Sequence, residues 1–576
     1  MNPTATSNHK QSGWREWLPP TALSLTASLI IVAPFFYWGS ASGHDFEFHV
    51  SSWLDVAGQW REGILFPRWT EWANHGFGEP RFLFYPPLSW LLAPALSFFV
   101  PWTYVPVVFI VLVQTSAGIS AFAFARRLLP NYAAVFAAVV YAANPNALLI
   151  IYMRSDFAEL LASAFFPLLF LAALRLTGLL KISESLQTRA IVAFAVTFAA
   201  VWLSNAPAGV MVTYSVALLF LWVALAERSW TRFAYGAAGM ALGFGLAGFY
   251  LAPAAYEQRW VNIGQVLSAG LLPSQNFLYT TIDDPEHNLF NWIASSTAIA
   301  MIVLTGIAAL AVHRHLRQQD QSGEQAKAWR VFLLLAAAAT LMMMKPATFL
   351  WKVLPKLRFV QFPWRWMSIL AAAFVWFLAA VIVRSRLRWI WIATTTVVLV
   401  TTGVFFVRHT WWDADDVPAL QFVVANGQGF EGTDEYDPVG DDHYNLPTKG
   451  PQPLAVILAN ASASLVPRVT KVTIDRWTAE EKIIRAESSE PARLALHLLN
   501  YPAWRIEINN SASSAEPPTD TNQMIVPIPA GQSTIRVHFT RTLDRTLGLF
   551  LSLLSALISG ILLVVSRSQH AASSSC

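Results

Sequence analysis

Apolar runs of about twenty residues, separated by short polar stretches, fill most of the first 407 positions of the chain. A helix of that length matches the ~30 Å hydrocarbon core of a bilayer and satisfies its own backbone there. The pattern predicts spans at 20–38, 104–125, 131–151, 158–175, 190–204, 207–226, 233–251, 291–312, 331–344, 366–383, 389–407 and 546–566. A further apolar piece, 87–100, is broken by Pro86-Pro87, Pro94 and Pro101 and is read as a re-entrant or surface-lying part of the first outer loop. The expectation is a mainly α, polytopic membrane protein with about 12 transmembrane helices.

From residue 408 the period changes. Ser533 to Thr540 alternates, with Ile535, Val537 and Phe539 on one face and Arg536 and His538 on the other. Lys471–Trp477, Glu481–Glu487, Arg493–Leu499, Trp504–Ile508 and Met524–Ile528 read the same way, so a small β-sandwich is expected, with Trp477 and Trp504 in its core. The division is then 1–407 as a membrane domain with first outer loop 40–103, 408–540 as a β-rich domain, and 541–576 as the final helix and tail.

Composition agrees. Of 576 residues, 55% are hydrophobic and 13% charged, against roughly a quarter charged in an ordinary soluble domain. The net charge of +4 comes without a basic block that would suit nucleic acid, and the single cysteine, Cys576, excludes an internal disulfide framework. Pro20 to Trp38 is longer than a signal h-region and reads as a retained first span. With 87–100 left out of the count, Lys10 and Arg15, Arg126-Arg127, Arg175 with Lys181 and Arg189, Arg228 with Arg232, Arg314, Arg317, Lys327 and Arg330, Arg384 to Arg388, and Arg567 all fall on one side. By the positive-inside rule both termini are cytoplasmic and the β-rich domain is extracytoplasmic.

Candidate chemistry collects on the outer side. Gly43-His44-Asp45-Phe46-Glu47-Phe48-His49 directly follows the first span, and on a helix Asp45 and His49 share a face. An acid beside a histidine at a membrane surface can take a proton from a hydroxyl, whereas the plain structural reading is a polar helix end. The first loop continues through His75 to Phe84-Tyr85-Pro86-Pro87, the turn after the third span carries Arg154, Asp156 and Glu159, and Asn205 marks another outer turn. The loop 345–365 holds Lys345, Lys352, Lys356, Arg358 and Arg365 without an acid. Three readings stand: the loop is cytoplasmic, its cations snorkel to outer-leaflet lipid phosphates, or they receive the phosphate of a lipid-linked substrate. Between Asp413 and Asp442 there are nine acids and no Lys or Arg. The sequons at Asn460 and Asn509-Asn510-Ser511 carry no weight.

An acid just after the first span, a long outer loop with a Tyr-Pro-Pro segment and Ala125-Arg126-Arg127 closing the second span resemble the GT-C superfamily, membrane glycosyltransferases that use polyprenyl-phosphate sugars. Gly43-His44-Asp45 with His49, Phe84-Tyr85-Pro86-Pro87, Gln361-Phe362-Pro363-Trp364-Arg365 and Gly432-Thr433-Asp434-Glu435-Tyr436 are similar, over nearly the whole chain, to a bacterial membrane-protein family labelled 6-pyruvoyl-tetrahydropterin synthase-related. That label is no guide to activity, because the zinc-binding histidine set of soluble pterin synthases is absent. The resemblance implies a GT-C-like fold in a bacterial inner membrane, with Asp45 as base and Glu47 completing an acidic pair. Its second acidic position falls on Asp156 or Glu159. Its donor-phosphate cations fall among Lys352, Lys356, Arg358 and Arg365, with Arg154 a further candidate. His49, His75, Tyr85, Asn205, Glu435 and Tyr436 complete the expected catalytic and substrate-binding set. Asp45-Phe46-Glu47 departs from the Asp-x-Asp with which some members bind a divalent metal, so a divalent metal stays open but is not favoured, and no cofactor is certain.

The implied activity is hexosyl or pentosyl transfer from a polyprenyl-phosphate donor to an envelope glycan, lipid or protein. The rival readings are a transporter or flippase of lipid-linked glycans, and a non-catalytic anchor displaying the β-rich domain. Coupled transporters place ionisable groups near the bilayer midplane; here none falls near the middle of a predicted span.

Overall fold

A computed structural model describes residues 13–180, 187–316, 323–440, 445–447, 452–458, 470–517 and 520–574. Lys10, Lys181, Arg317, Asp441, Asp442 and the sequon at Asn460 lie outside them. Eleven described helices are long and apolar enough to cross a membrane. Two, Pro363–Arg384 and Phe157–Leu176, are 94% and 89% buried and form the centre of the bundle. Arg388–His409 and Leu543–Ser566, 11% and 17% buried, face outward.

The expected span at 233–251 is the one that differs. Trp230–Leu246 and Gly248–Trp260 are separate helices, bent by 76° about Ala247. Glycines along this stretch bring backbone close to its neighbours: Gly239 and Gly243 lie on Phe194 and Phe198, and Gly248 lies on the backbone of Gly548 in the last helix. The close approach to the last helix replaces a straight crossing with a corner. Segment 87–100 is a ten-residue helix, Pro87–Leu96, too short to span.

The bundle has two polar ends. At one, Arg126 pairs with Glu16 at 2.8 Å, Lys327 with Glu227 at 3.2 Å, and Arg189 donates to Ser566 near the C-terminus. At the other, a short ladder pairs Ser40–Ala41 with Trp412–Asp413 and joins the start of the first loop to the exit of helix Arg388–His409.

The β-rich segment before the last helix has two antiparallel sheets. One runs in the order Thr470–Trp477, Glu481–Ser488, Gly531–Phe539, Trp504–Ile508, Ser511–Ser513; the other in the order Ala455–Leu458, Ala492–Leu499, Gln523–Ile528. Ile535 faces Ile484, Val537 faces Ile506, and all four are buried against Leu494, Leu496 and Val526 of the second sheet. Asn509 and Asn510, both left-handed, make the two-residue hairpin turn between strands. Trp504 is buried as expected, while Trp477 is half-buried. First-loop Trp69 packs edge-on against Trp504 at 5.3 Å, so the sandwich and the membrane part share a core.

Candidate functional site

The site is built where the chain leaves the first span and where it turns after the third. Gly43 N–H donates to Ser155 Oγ at 3.1 Å, Ser155 Oγ donates to Ala41 O at 2.6 Å, and Asp45 N–H donates to Arg154 O at 2.8 Å. Position 43 has to be glycine, because a Cβ there would sit 2.5 Å from the carbonyl carbon of Arg154. Asp45 immediately precedes helix Phe46–Arg61 but makes no side-chain cap, which leaves its carboxylate for Arg154.

Arg154, almost wholly buried, is the hub. Its Nη2 donates to Asp45 Oδ2 at 2.8 Å and to Asp156 Oδ2 at 2.9 Å, and its Nη1 to Glu159 Oε2 at 2.6 Å. Its guanidinium also lies 5.1 Å from the ring of Trp364. Arg365 approaches from the other side, with Nη2 3.5 Å from Asp156 and Nε 3.2 Å from Glu159, and Ser368 Oγ donates to Glu159 at 2.9 Å. Asp156 caps helix Phe157–Leu176 by accepting from Glu159 N–H at 2.8 Å. Burial alone would raise its carboxyl; Arg154, His49 and Arg365 outweigh that and hold it well below the usual carboxylate range.

The network is a hydrogen-bonded ion cluster in which two guanidiniums already serve three carboxyl groups. Among the described residues no set of three or more His, Cys, Asp or Glu is placed to hold a metal ion. The chemistry of this donor set explains it: the oxygens that would face a cation face Arg154 and Arg365 instead. The residues present do not fit a divalent metal.

Two cavities open on this cluster. One, of about 480 Å³, is lined by Asp45, Asp156, Asn205, Lys356 and Arg365 together with Phe48, Tyr85, Phe359 and Tyr436. The other, of about 520 Å³, is lined by His44, Arg154, Asn276, Asp284, His287 and Trp364. Asp45, Gln361, Arg365 and Glu435 line both, so they form the wall between them. Of the two shared carboxylates, Asp45 has an Arg154 partner and a side chain 37% exposed. Glu435 makes no ion pair among the described residues; burial, helped by Asp434 and Asp437 and opposed by Arg81, pushes its carboxyl up to about 7.

Glu435 reaches this wall because its loop is pinned. Arg81 Nη2 donates to Thr433 Oγ1 at 2.9 Å, Nη1 to Ser52 Oγ at 2.9 Å and Nε to Glu79 at 2.5 Å, while Glu79 accepts from Thr433 N–H at 2.9 Å. Asn74 Nδ2 donates to Asp437 at 2.7 Å, and Tyr436 stacks on Phe84 at 5.9 Å. Gly432 leaves room for Asn74, whose amide a Cβ would overlap.

The expected site residues therefore divide. Asp45, Tyr85, Arg154, Asp156, Asn205, Lys356, Arg365, Glu435 and Tyr436 line the cavities. Glu159 lies behind Arg154, and His49 lies behind Asp156, its Nε2 3.6 Å from Oδ1 and 3.5 Å from Tyr85 Oη. Although His49 follows Asp45 by one turn, its ring turns away from it to Asp156. Four residues are elsewhere. Glu47 is exposed and outside both cavities, beside Glu431 and Asp416. Lys352 and Arg358 are exposed on short helical turns that carry them outward. His75 sits at the β-domain seam, its carbonyl 3.0 Å from His497 Nε2. Sequence reasoning reaches Trp364 only as part of the Gln361-Phe362-Pro363-Trp364-Arg365 motif and does not reach Arg81 or His287; the signal for Arg81 is an arginine directly before an apolar Phe-Leu-Phe run.

Among curated proteins none matches the chain. Among solved structures it is similar to the oligosaccharyltransferase of Archaeoglobus fulgidus in the apo form, with TM-score 0.38 and 12% identity over 71% of this chain and 56% of that one. It is similar in the same degree to the oligosaccharyltransferase AglB from that organism in complex with an inhibitory peptide and a dolichol-phosphate, with TM-score 0.37 and 13% identity over 73% and 57%. The match thus spans a little over half of each of those chains. Residues 82–411, more than half of this sequence and including Tyr85, Arg154 and Arg365 of the cluster, match the family model described as 6-pyruvoyl-tetrahydropterin synthase related domain, membrane protein, and the chain belongs to that family.

Proposed function

We propose that this protein is a GT-C-type membrane glycosyltransferase, moving a sugar from a polyprenyl-phosphate donor to a hydroxyl acceptor on the extracytoplasmic face. The observation that carries the reading is the meeting of Asp45, Asp156, Lys356 and Arg365, from three distant stretches of chain, around one amphipathic cavity. Its aromatic wall suits a sugar and the first units of a lipid chain. Lys356, which has no carboxylate partner among the described residues, suits the phosphate. Arg365 adds a second cation, partly spent on Asp156 and Glu159.

In this reading the acceptor hydroxyl gives its proton to Asp45 and forms the new C–O bond at the anomeric carbon. The bond to phosphate breaks, and its electron pair leaves on the polyprenyl phosphate beside Lys356. General-base help contributes about 10²–10⁴-fold. Stabilisation of the leaving anion by Lys356 and Arg365 adds to it. A transporter would not need a carboxylate and a lysine without a carboxylate partner among the described residues lining the same cavity. The test is purified protein in liposomes with sugar-labelled polyprenyl-phosphate hexoses and pentoses and a hydroxyl acceptor mixture. Release of polyprenyl phosphate that is lost in Asp45→Asn and weakened in Lys356→Gln supports the proposal. No release from any donor, or sugar crossing the bilayer unchanged, sinks it.

A further inference from the structure

A third cavity, of about 400 Å³, lies away from the ion cluster, between the first loop, the bent helix pair and the start of the last helix. Its walls are apolar, with Phe66, Phe82, Phe249 and Leu549, and its charged lining is Arg68, Arg541 and Arg545 with no Asp or Glu. We propose that this slot seats one phospholipid of the surrounding bilayer, an acyl chain against the phenylalanines and an anionic headgroup on Arg541.

Position in the fold sets the occupant. Leu549 belongs to the outward helix Leu543–Ser566, whose Leu547, Phe550 and Leu551 are 52%, 62% and 46% exposed and form part of the lipid-facing surface. Leu549, which lines the slot, lies among those exposed side chains on the same helix. Arg541 stands two residues before the helix begins, at the height where headgroups lie, and it is exposed and makes no ion pair among the described residues. Arg545 is committed, donating to both oxygens of Glu257 at 2.7 and 2.8 Å. Arg68 donates to Glu480 at 3.2 Å and is partly exposed. The free positive charge at the mouth is thus that of Arg541, reinforced by Arg68. An apolar slot opening on acyl chains, with a cation where phosphates sit, has the charge and the polarity order of a lipid.

The test uses the full-length protein in detergent micelles with dioleoyl phosphatidylglycerol or dioleoyl phosphatidylcholine, read by native mass spectrometry. The wild type is expected to retain one phosphatidylglycerol in preference to phosphatidylcholine. Arg541→Gln should cut that retention by about fivefold, the effect of one basic residue at a membrane surface. Leu549→Trp, which fills the slot, should reduce retention of both lipids. Equal retention of the two lipids by the wild type, or no change in Arg541→Gln, overturns the proposal. So does displacement of phosphatidylglycerol by glycerol 3-phosphate alone, since the slot would then be a simple anion site.

Discussion

Arg154 donates to the carboxylate of Asp45 across 109 positions of sequence at 2.8 Å, and the same nitrogen serves Asp156 at 2.9 Å. Asp45 and Asp156 are held on one guanidinium. Removing that guanidinium leaves Asp156 and Glu159 buried without their main partner. Breaking a buried pair in this way costs about 3–5 kcal/mol. Arg154→Ala is therefore expected to lower the thermal unfolding midpoint of the purified protein sharply. Arg154→Lys, with a charge but no fork to serve three carboxylates, should fall between. A midpoint unchanged in Arg154→Ala would show that the cluster is not structural.

Asp45 is the opposite case. Its side chain is 37% exposed and its loss leaves Arg154 still paired with Asp156 and Glu159. Asp45→Asn should keep the fold, with a circular dichroism spectrum and midpoint close to wild type, while transfer to a hydroxyl acceptor falls by about 10²–10⁴-fold. Loss of transfer together with loss of the fold would assign Asp45 a structural part instead.

The span boundaries were legible because bilayer thickness imposes a run length that any apolar stretch reveals. The corner at Ala247 was not, because it depends on glycines whose contacts come from the distant last helix. Asp45, Asp156 and Arg365 stand out in the sequence as charges beside apolar runs. Their meeting is tertiary, written in Gly43 and Ser155, which carry no charge to notice. Charge counting also overstates the basic loop. Five cations lie between 345 and 365, yet the left-handed Lys356 and Gln361 turn the chain so that Lys356 and Arg365 alone of the five face the cavities.

Glu435 gives a pH dependence with a definite sign. Its carboxyl is raised from 4.5 to about 7 in the folded protein. Between those values the folded chain holds a proton the unfolded chain has released, so the stabilising contribution is complete below about 4.5 and is lost as pH rises through about 7. Glu435→Gln, which mimics the protonated group, should be more stable than wild type, with the gap in unfolding midpoint growing from pH 5 to pH 8. A gap that shrinks or stays constant over that range would mean that Glu435 is ionised throughout.

Arg81 fixes the loop that carries Glu435, bonding Thr433, Ser52 and Glu79 from a fully buried position. Arg81→Met should free the segment 430–437 and raise its amide hydrogen exchange. The exchange of helix Phe157–Leu176 should stay as it is. Uniform exchange changes across the bundle would point instead to global destabilisation.

The second helix of the bent pair is tied at its far end by Glu257, which accepts from Arg545 through both its oxygens and from Tyr501 Oη at 2.6 Å, joining the pair, the last helix and the β-sandwich. Such a knot is costly to bury and more costly to break by halves. Arg545→Met leaves Glu257 fully buried without its cationic partner, a loss of about 3–5 kcal/mol. Glu257→Gln removes the charge but keeps an acceptor for Tyr501. In the double variant the unpaired carboxylate is gone, so most of the loss in Arg545→Met should be recovered, and the coupling between the two positions should exceed the ~0.5 kcal/mol seen for independent sites. Unfolding midpoints of the four proteins measure it. Additive losses would mean that Glu257 and Arg545 do not act as a pair.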